Sequence, residues 1–143
     1  MGYRIAAILF LAVLGVSDLK NRTVPVWPVA VFAAIMAALH VAMHDLAALQ
    51  LLAGAVPGLI MMALAAAFPA SIGIGDGMVI AAGGIGTGFS AAFESLVLAL
   101  LVCAVYSGIL LIRRKASRKD CLPFIPFLAA GHALVLAAEM IAA

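Results

Sequence analysis

Charge is what this 143-residue sequence most lacks. Asp, Glu, Lys and Arg make up 10% of it, where an ordinary soluble domain carries about 25%. So few charges cannot cover a water-facing surface, which excludes a soluble monomer. Intrinsic disorder needs low hydrophobicity and high net charge; here 68% of residues are hydrophobic and the net charge is +2. Cysteine is scarce as well. Cys103 and Cys121 are too few for a disulfide framework, and neither falls in a C-x-x-C or Cys/His metal spacing. Cys103 lies in an apolar run and reads as a small core residue, and Cys121 reads as a loop thiol. No long linker, repeat or low-complexity tail interrupts the chain. No residue pattern asks for a metal or a cofactor.

What fills the sequence is apolar runs, with a mean hydropathy of +1.31. A bilayer crossing takes about 20 residues, so the chain has room for at most about six short spans and little else. The expectation is an all-α polytopic membrane bundle of about six helices, forming a single domain over residues 1–143. The segments run roughly Tyr3–Val16, Val26–Ala42, Leu46–Phe68, Met78–Phe89, Ala92–Ile112 and Leu122–Ala142. Pro57-Gly58 predicts a kink in the third, and Pro123 and Pro126 are helix-start residues of the sixth. The first segment follows Arg4 but lacks a small-x-small cleavage site, so it reads as a retained helix rather than a signal peptide.

Orientation follows from the placement of Lys and Arg. With the N-terminus outside, Lys20, Arg22, Arg113, Arg114, Lys115, Arg118 and Lys119 fall on the cytoplasmic side and only Arg4 falls outside, which is seven of the eight. Asp45, Glu94 and Glu139 then lie outside, and Asp18, Asp76 and Asp120 inside. Asp18 ends the first helix and Asp76 opens the fourth, at one membrane face. A carboxylate costs about 2.5–3.5 kcal/mol at the centre of a span and less near its ends. Helix-end roles are open to both: Asp76 as an N-cap, Asp18 as a partner of Lys20 or Arg22. Two on one face, one of them inside Gly73-Ile74-Gly75-Asp76, favour a shared task. Gly73 and Gly75 permit unusual backbone angles and close helix approach, which would hold one carboxylate against the other.

Three patches resemble the prepilin peptidases, the aspartic membrane proteases of the GxGD class that process type IV pilins and similar prepilins. The first is Asp18-Leu19-Lys20-Asn21-Arg22-Thr23-Val24-Pro25, an aspartate followed by a basic, proline-terminated loop. The second is Gly73-Ile74-Gly75-Asp76, continuing through Ala81, Ala82, Gly84 and Gly88. The third is Leu122-Pro123-Phe124-Ile125-Pro126-Phe127-Leu128, similar to the patch that opens the last family helix. The resemblance implies that Asp18 and Asp76 are the catalytic pair, with Gly73, Gly75, Arg22, Pro25, Pro123 and Pro126 as motif positions around them. It further implies an endopeptidase of the bacterial or archaeal inner membrane. Its substrates would be prepilin-like proteins with a basic leader and a hydrophobic N-terminal helix, cut just after a glycine at the cytoplasmic face. Partners are that substrate and membrane lipids, not nucleic acid. The chain departs from the family pattern in two ways. Met78 stands where the family usually has lysine, and the cysteine-bearing cytoplasmic domain that accompanies N-methylation is not expected here. It thus resembles a minimal, peptidase-only form. Two alternatives remain open on the residues alone: a small proton-coupled transporter titrating Asp18 and Asp76, and an inactive homologue.

Other residues read more plainly. His40 and His44 share a helical face and offer a metal pair, but an interfacial polar helix end explains them better. His132 reads as a hydrogen-bonded residue within the bundle. Gly83, Gly84, Gly86 and Gly88 lack the lysine-serine of a phosphate loop and read as helix packing. The 113–119 loop is a topology determinant and anionic-lipid contact. Met61 and Met62 read as packing residues, Trp27 as an interface anchor.

Overall fold

The computed structural model describes residues 2–21, 25–43, 48–68, 73–113 and 122–142. They form six helices: α1 (Gly2–Asn21), α2 (Val26–Met43), α3 (Ala48–Ala67), α4 (Ile74–Thr87), α5 (Phe89–Ile112) and α6 (Ile125–Ala142). The all-helical expectation holds. The expectations for Arg22, His44, Asp45, Asp120, Cys121 and most of the basic loop (Arg114, Lys115, Arg118, Lys119) lie outside the described residues.

Among the described residues four stretches are long and apolar enough to cross a membrane: Val26–Met43, Leu49–Ala67, Phe89–Ile112 and Ile125–Ala142. Large apolar side chains such as Leu49, Ile112 and Ile141 point outward from the bundle, the arrangement that a hydrocarbon solvent favours. α4 is shorter and occupies the middle, packing against all five other helices. Its composition explains that position. Gly77, Ala82, Gly83, Gly84 and Gly86 are buried in it, and small residues let helix backbones approach closely where no hydrophobic effect drives association.

The tightest seam joins α3 to α4. A Cβ built on Gly54 would overlap the carbonyl of Gly84, and one on Gly58 would overlap the backbone of Ala81. Gly77 faces Met62. These three contacts step down one antiparallel pair, so α3 and α4 lie backbone to backbone. Here glycine is required by space. α3 runs unbroken through Pro57. α4 ends at Gly88, whose φ of 87° favours glycine and lets α5 begin at the next residue.

Two histidines differ from expectation, one in its setting and one in its hydrogen bonding. His40 is only 2% exposed, and its Nε2 hydrogen-bonds the Gly86 carbonyl at 3.1 Å, tying α2 to α4. It is thus a buried tie and not an interfacial helix end, because the last carbonyls of a helix need outside donors. His132 is buried, as expected, yet among the described residues neither ring nitrogen has a hydrogen-bond partner. Cys103 is only partly buried. The packing roles of Met61 and of the α4 glycines hold, and Trp27 is exposed at the start of α2.

Candidate functional site

α1 continues five residues beyond Val16, past Asp18's own position, to Asn21. On that helix Ala7, Leu11, Leu14 and Asp18 are all buried, and their spacing of four, three and four marks one face. Asp18 is therefore carried on the core-facing stripe of α1 and is 7% exposed. Three residues earlier, Gly15 meets the first turn of α6: a Cβ there would lie 3.4 Å from Pro126 Cα. That contact brings the start of α6 beside the end of α1.

α6 opens in a way that leaves a donor free. The Phe124 carbonyl accepts the N–H groups of Phe127 at 3.0 Å and Leu128 at 3.1 Å, and Pro126 has no N–H. The N–H of Ile125 remains, and it donates to Asp18. The second carboxylate oxygen of Asp18, Oδ2, is buried with no hydrogen-bond partner among the described residues.

Asp76 lies in the first turn of α4 and is not its cap. The helix begins earlier than the apolar run suggests, at Ile74, and its N-cap is Gly73. The Asp76 N–H donates to the Gly73 carbonyl at 3.1 Å, and the Asp76 carboxylate accepts a backbone hydrogen bond from Gly73. This is the reach-back half of a capping box, in which the third helical residue serves the cap residue's N–H. Gly73 has φ −80° and ψ 131°, angles any residue adopts. The unusual-angle expectation therefore fails at Gly73, and the need is spatial: a Cβ would stand 3.2 Å from Asp76 Oδ2. Gly75 follows in the same turn, half-buried.

Both carboxylates sit at helix ends, outside the apolar spans. Burial pushes Asp76 up from its usual 3.8 to about 6, and repulsion from the Asp18 carboxylate adds to the rise while the Gly73 hydrogen bond opposes it. Burial also raises Asp18, opposed by the Ile125 hydrogen bond. The structure thus brings together the two aspartates, Gly73, Gly75 and Pro126. Pro25 precedes α2 and Pro123 lies in the irregular lead into α6, both half-buried. Met78, two residues past Asp76, packs partly buried against the hydrophobic core, which suits methionine where a lysine would need a route to water. Ile125 escaped the sequence reading because its contribution is a backbone N–H; the proline beside it was the available signal.

Two carboxyl groups that repel each other while both are raised hold a proton between them more readily than either would alone. A pair in that state can offer one base and one acid. Among the described residues no group of three or more His, Cys, Asp or Glu side chains is placed to hold a metal. The model of the type IV leader peptidase family (peptidase A24) matches residues 5–108, a stretch that includes both aspartates and ends before the third patch. No curated protein and no solved structure matches the chain.

Proposed function

The chain belongs to the type IV leader peptidase family, and on that premise we propose that Asp18 and Asp76 are the catalytic pair of a membrane-embedded aspartic endopeptidase. The observation that carries this reading is the electrostatic contact of Asp76 with Asp18 across α1 and α4. One ionised carboxylate takes a proton from water, and the water oxygen attacks the scissile carbonyl carbon. The other, protonated, hydrogen-bonds the carbonyl oxygen and stabilises the charge that develops there. When the C–N bond breaks, the leaving nitrogen receives a proton from the pair, and the acid product retains the hydroxyl from water.

The substrate we infer is a prepilin-like protein. Its hydrophobic helix lies in the bilayer, and its basic leader emerges at the cytoplasmic face, where it is cut after a glycine. The charge asymmetry supports that orientation, since seven of eight Lys and Arg residues fall on the aspartate side. Co-expression with a prepilin-like substrate, with leader loss read by gel shift, tests the reading. Asp18→Asn and Asp76→Asn should each abolish cleavage, the double variant should be no worse, and all three should insert and purify normally. Near-normal turnover by either single variant would overturn the mechanism.

A further inference from the structure

Toward the end of the bundle away from the aspartates, α1, α4, α5 and α6 line a small, partly open cavity. Ile8, Thr87, Ser95, His132 and Glu139 are among its walls. His132 is 5% exposed, and neither Nδ1 nor Nε2 has a hydrogen-bond partner among the described residues. The Leu128 carbonyl one turn earlier pulls on the ring without completing a hydrogen bond. An imidazole with no protein hydrogen-bond partner on either nitrogen needs a donor and an acceptor from elsewhere, because each unsatisfied group carries a desolvation cost. Packing alone cannot explain why the polar ring is there.

The cavity wall supplies the complementary chemistry. Thr87 Oγ1 donates its proton to the Gly83 carbonyl at 2.9 Å, and Ser95 Oγ donates to the Ala91 carbonyl at 2.6 Å. Each hydroxyl has thereby spent its donor and keeps lone pairs free to accept. What fits between such acceptors and an imidazole is a small molecule able to donate twice and accept as well. The space open to a water centre is about 10 Å³, close to the single probe sphere that one buried water occupies. A metal ion would find one histidine and one carboxylate at most among these walls.

We propose that this cavity is a binding site for one ordered water molecule, held by His132 together with the Thr87 or Ser95 hydroxyl oxygen. The water accepts from the protonated ring nitrogen or donates to the bare one, and its remaining hydrogen goes to a hydroxyl oxygen. It thereby fastens α6 to α4 or α5 at the end of the bundle away from Asp18 and Asp76. The site is independent of the protease chemistry.

Two measurements test it on the intact protein. A high-resolution structure from a lipidic mesophase should show one density peak within hydrogen-bonding distance of a His132 ring nitrogen and of Thr87 or Ser95. A dry cavity, or a His132 ring paired directly with a protein group, would overturn the proposal. The second measurement is a thermodynamic cycle by reversible unfolding in mixed micelles, combining His132→Leu with Thr87→Ala and with Ser95→Ala. His132 shares no direct hydrogen bond with either hydroxyl, so coupling between them must pass through the water. In at least one cycle the unfolding constant should change with His132→Leu about threefold less in the hydroxyl-free background than in the parent. Additive effects in both cycles would refute the bridge. The density criterion decides the matter even where a variant fails to fold.

Discussion

Removing the charge of Asp18 should pull the Asp76 titration downward by a limited amount. Asp76 is raised from 3.8 to about 6 by two causes, burial first and the Asp18 carboxylate second. Asp18→Asn deletes the second and leaves the first, because asparagine keeps the shape of the site. The drop must then be smaller than what burial contributes, so that Asp76 in the variant still titrates above its usual value. The sign has a consequence for the fold. A carboxyl group raised by folding favours the folded state in its protonated form, so its contribution is complete below pH 3.8 and is lost as pH rises through about 6. In Asp18→Asn that window should narrow from its upper end. Infrared spectroscopy of the protonated-carboxyl stretch, followed in detergent or nanodiscs across that range, reads both proteins without needing catalysis. The parent should show two coupled steps, the variant one step at lower pH than the upper parental step. An Asp76 step that does not move would mean the carboxylates do not sense each other, and the pair would be no pair. A return all the way to 3.8 would refute burial as the leading cause.

Three further outcomes follow from the packing. Gly54→Ala puts a Cβ into the Gly84 carbonyl; backbone cannot step aside, and the overpacking should cost about 1–3 kcal/mol, seen as a lower unfolding midpoint in micelles. An unchanged midpoint would contradict the backbone-to-backbone seam. Gly73→Ala presses on Asp76 Oδ2 from 3.2 Å and should slow leader cleavage about tenfold, since displacements well under 1 Å already tell on catalysis. The unfolding midpoint should stay put, and a parental rate would show that the carboxylate is not held there. His40→Leu strands the Gly86 carbonyl and should cost about 1–3 kcal/mol, while His40→Gln, which keeps a donor, should recover part of it; equal losses in both would argue against the hydrogen bond.

The helix order, the approximate bounds and the two aspartates were legible because long apolar runs and their interruptions are a strong signal. What escaped was depth. His40 follows Val29, Phe32 and Met36 at spacings of three, four and four, and all are buried. His132 lies between Leu128 and Val135 on the equivalent stripe of α6. Judged by residue type, both histidines looked like polar ends or paired residues; judged by position, each sits where its neighbours are core. The same rule places Asp18, since Ala7, Leu11 and Leu14 precede it on one face. A polar residue in register with a buried stripe is buried, whatever its type. Helix starts were harder. α4 begins four residues before its apolar run because Gly73 and Asp76 exchange backbone and side-chain hydrogen bonds that hydropathy does not register.

Asp18 stands in the last turn of its own helix, where the macrodipole is negative and a carboxylate is disfavoured. Isolated at the end of α1 it would turn to water. Two features of α6 change that balance. Gly15 presents no side chain, so Pro126 can lie against α1, and the proline ring leaves the Ile125 N–H as the donor aimed at the carboxylate. The positive end of α6 thus offsets the negative end of α1. On the other side Asp76 stands in the first turn of α4, where the dipole favours it, and Gly73 holds it in the reach-back hydrogen bond. Each aspartate accepts a backbone N–H from a helix start, and among the described residues no basic side chain is paired with either. That distinction matters for the chemistry. A lysine or arginine would hold either carboxylate ionised and empty the pair of its proton, whereas backbone donors orient it while leaving burial free to keep one proton on the pair.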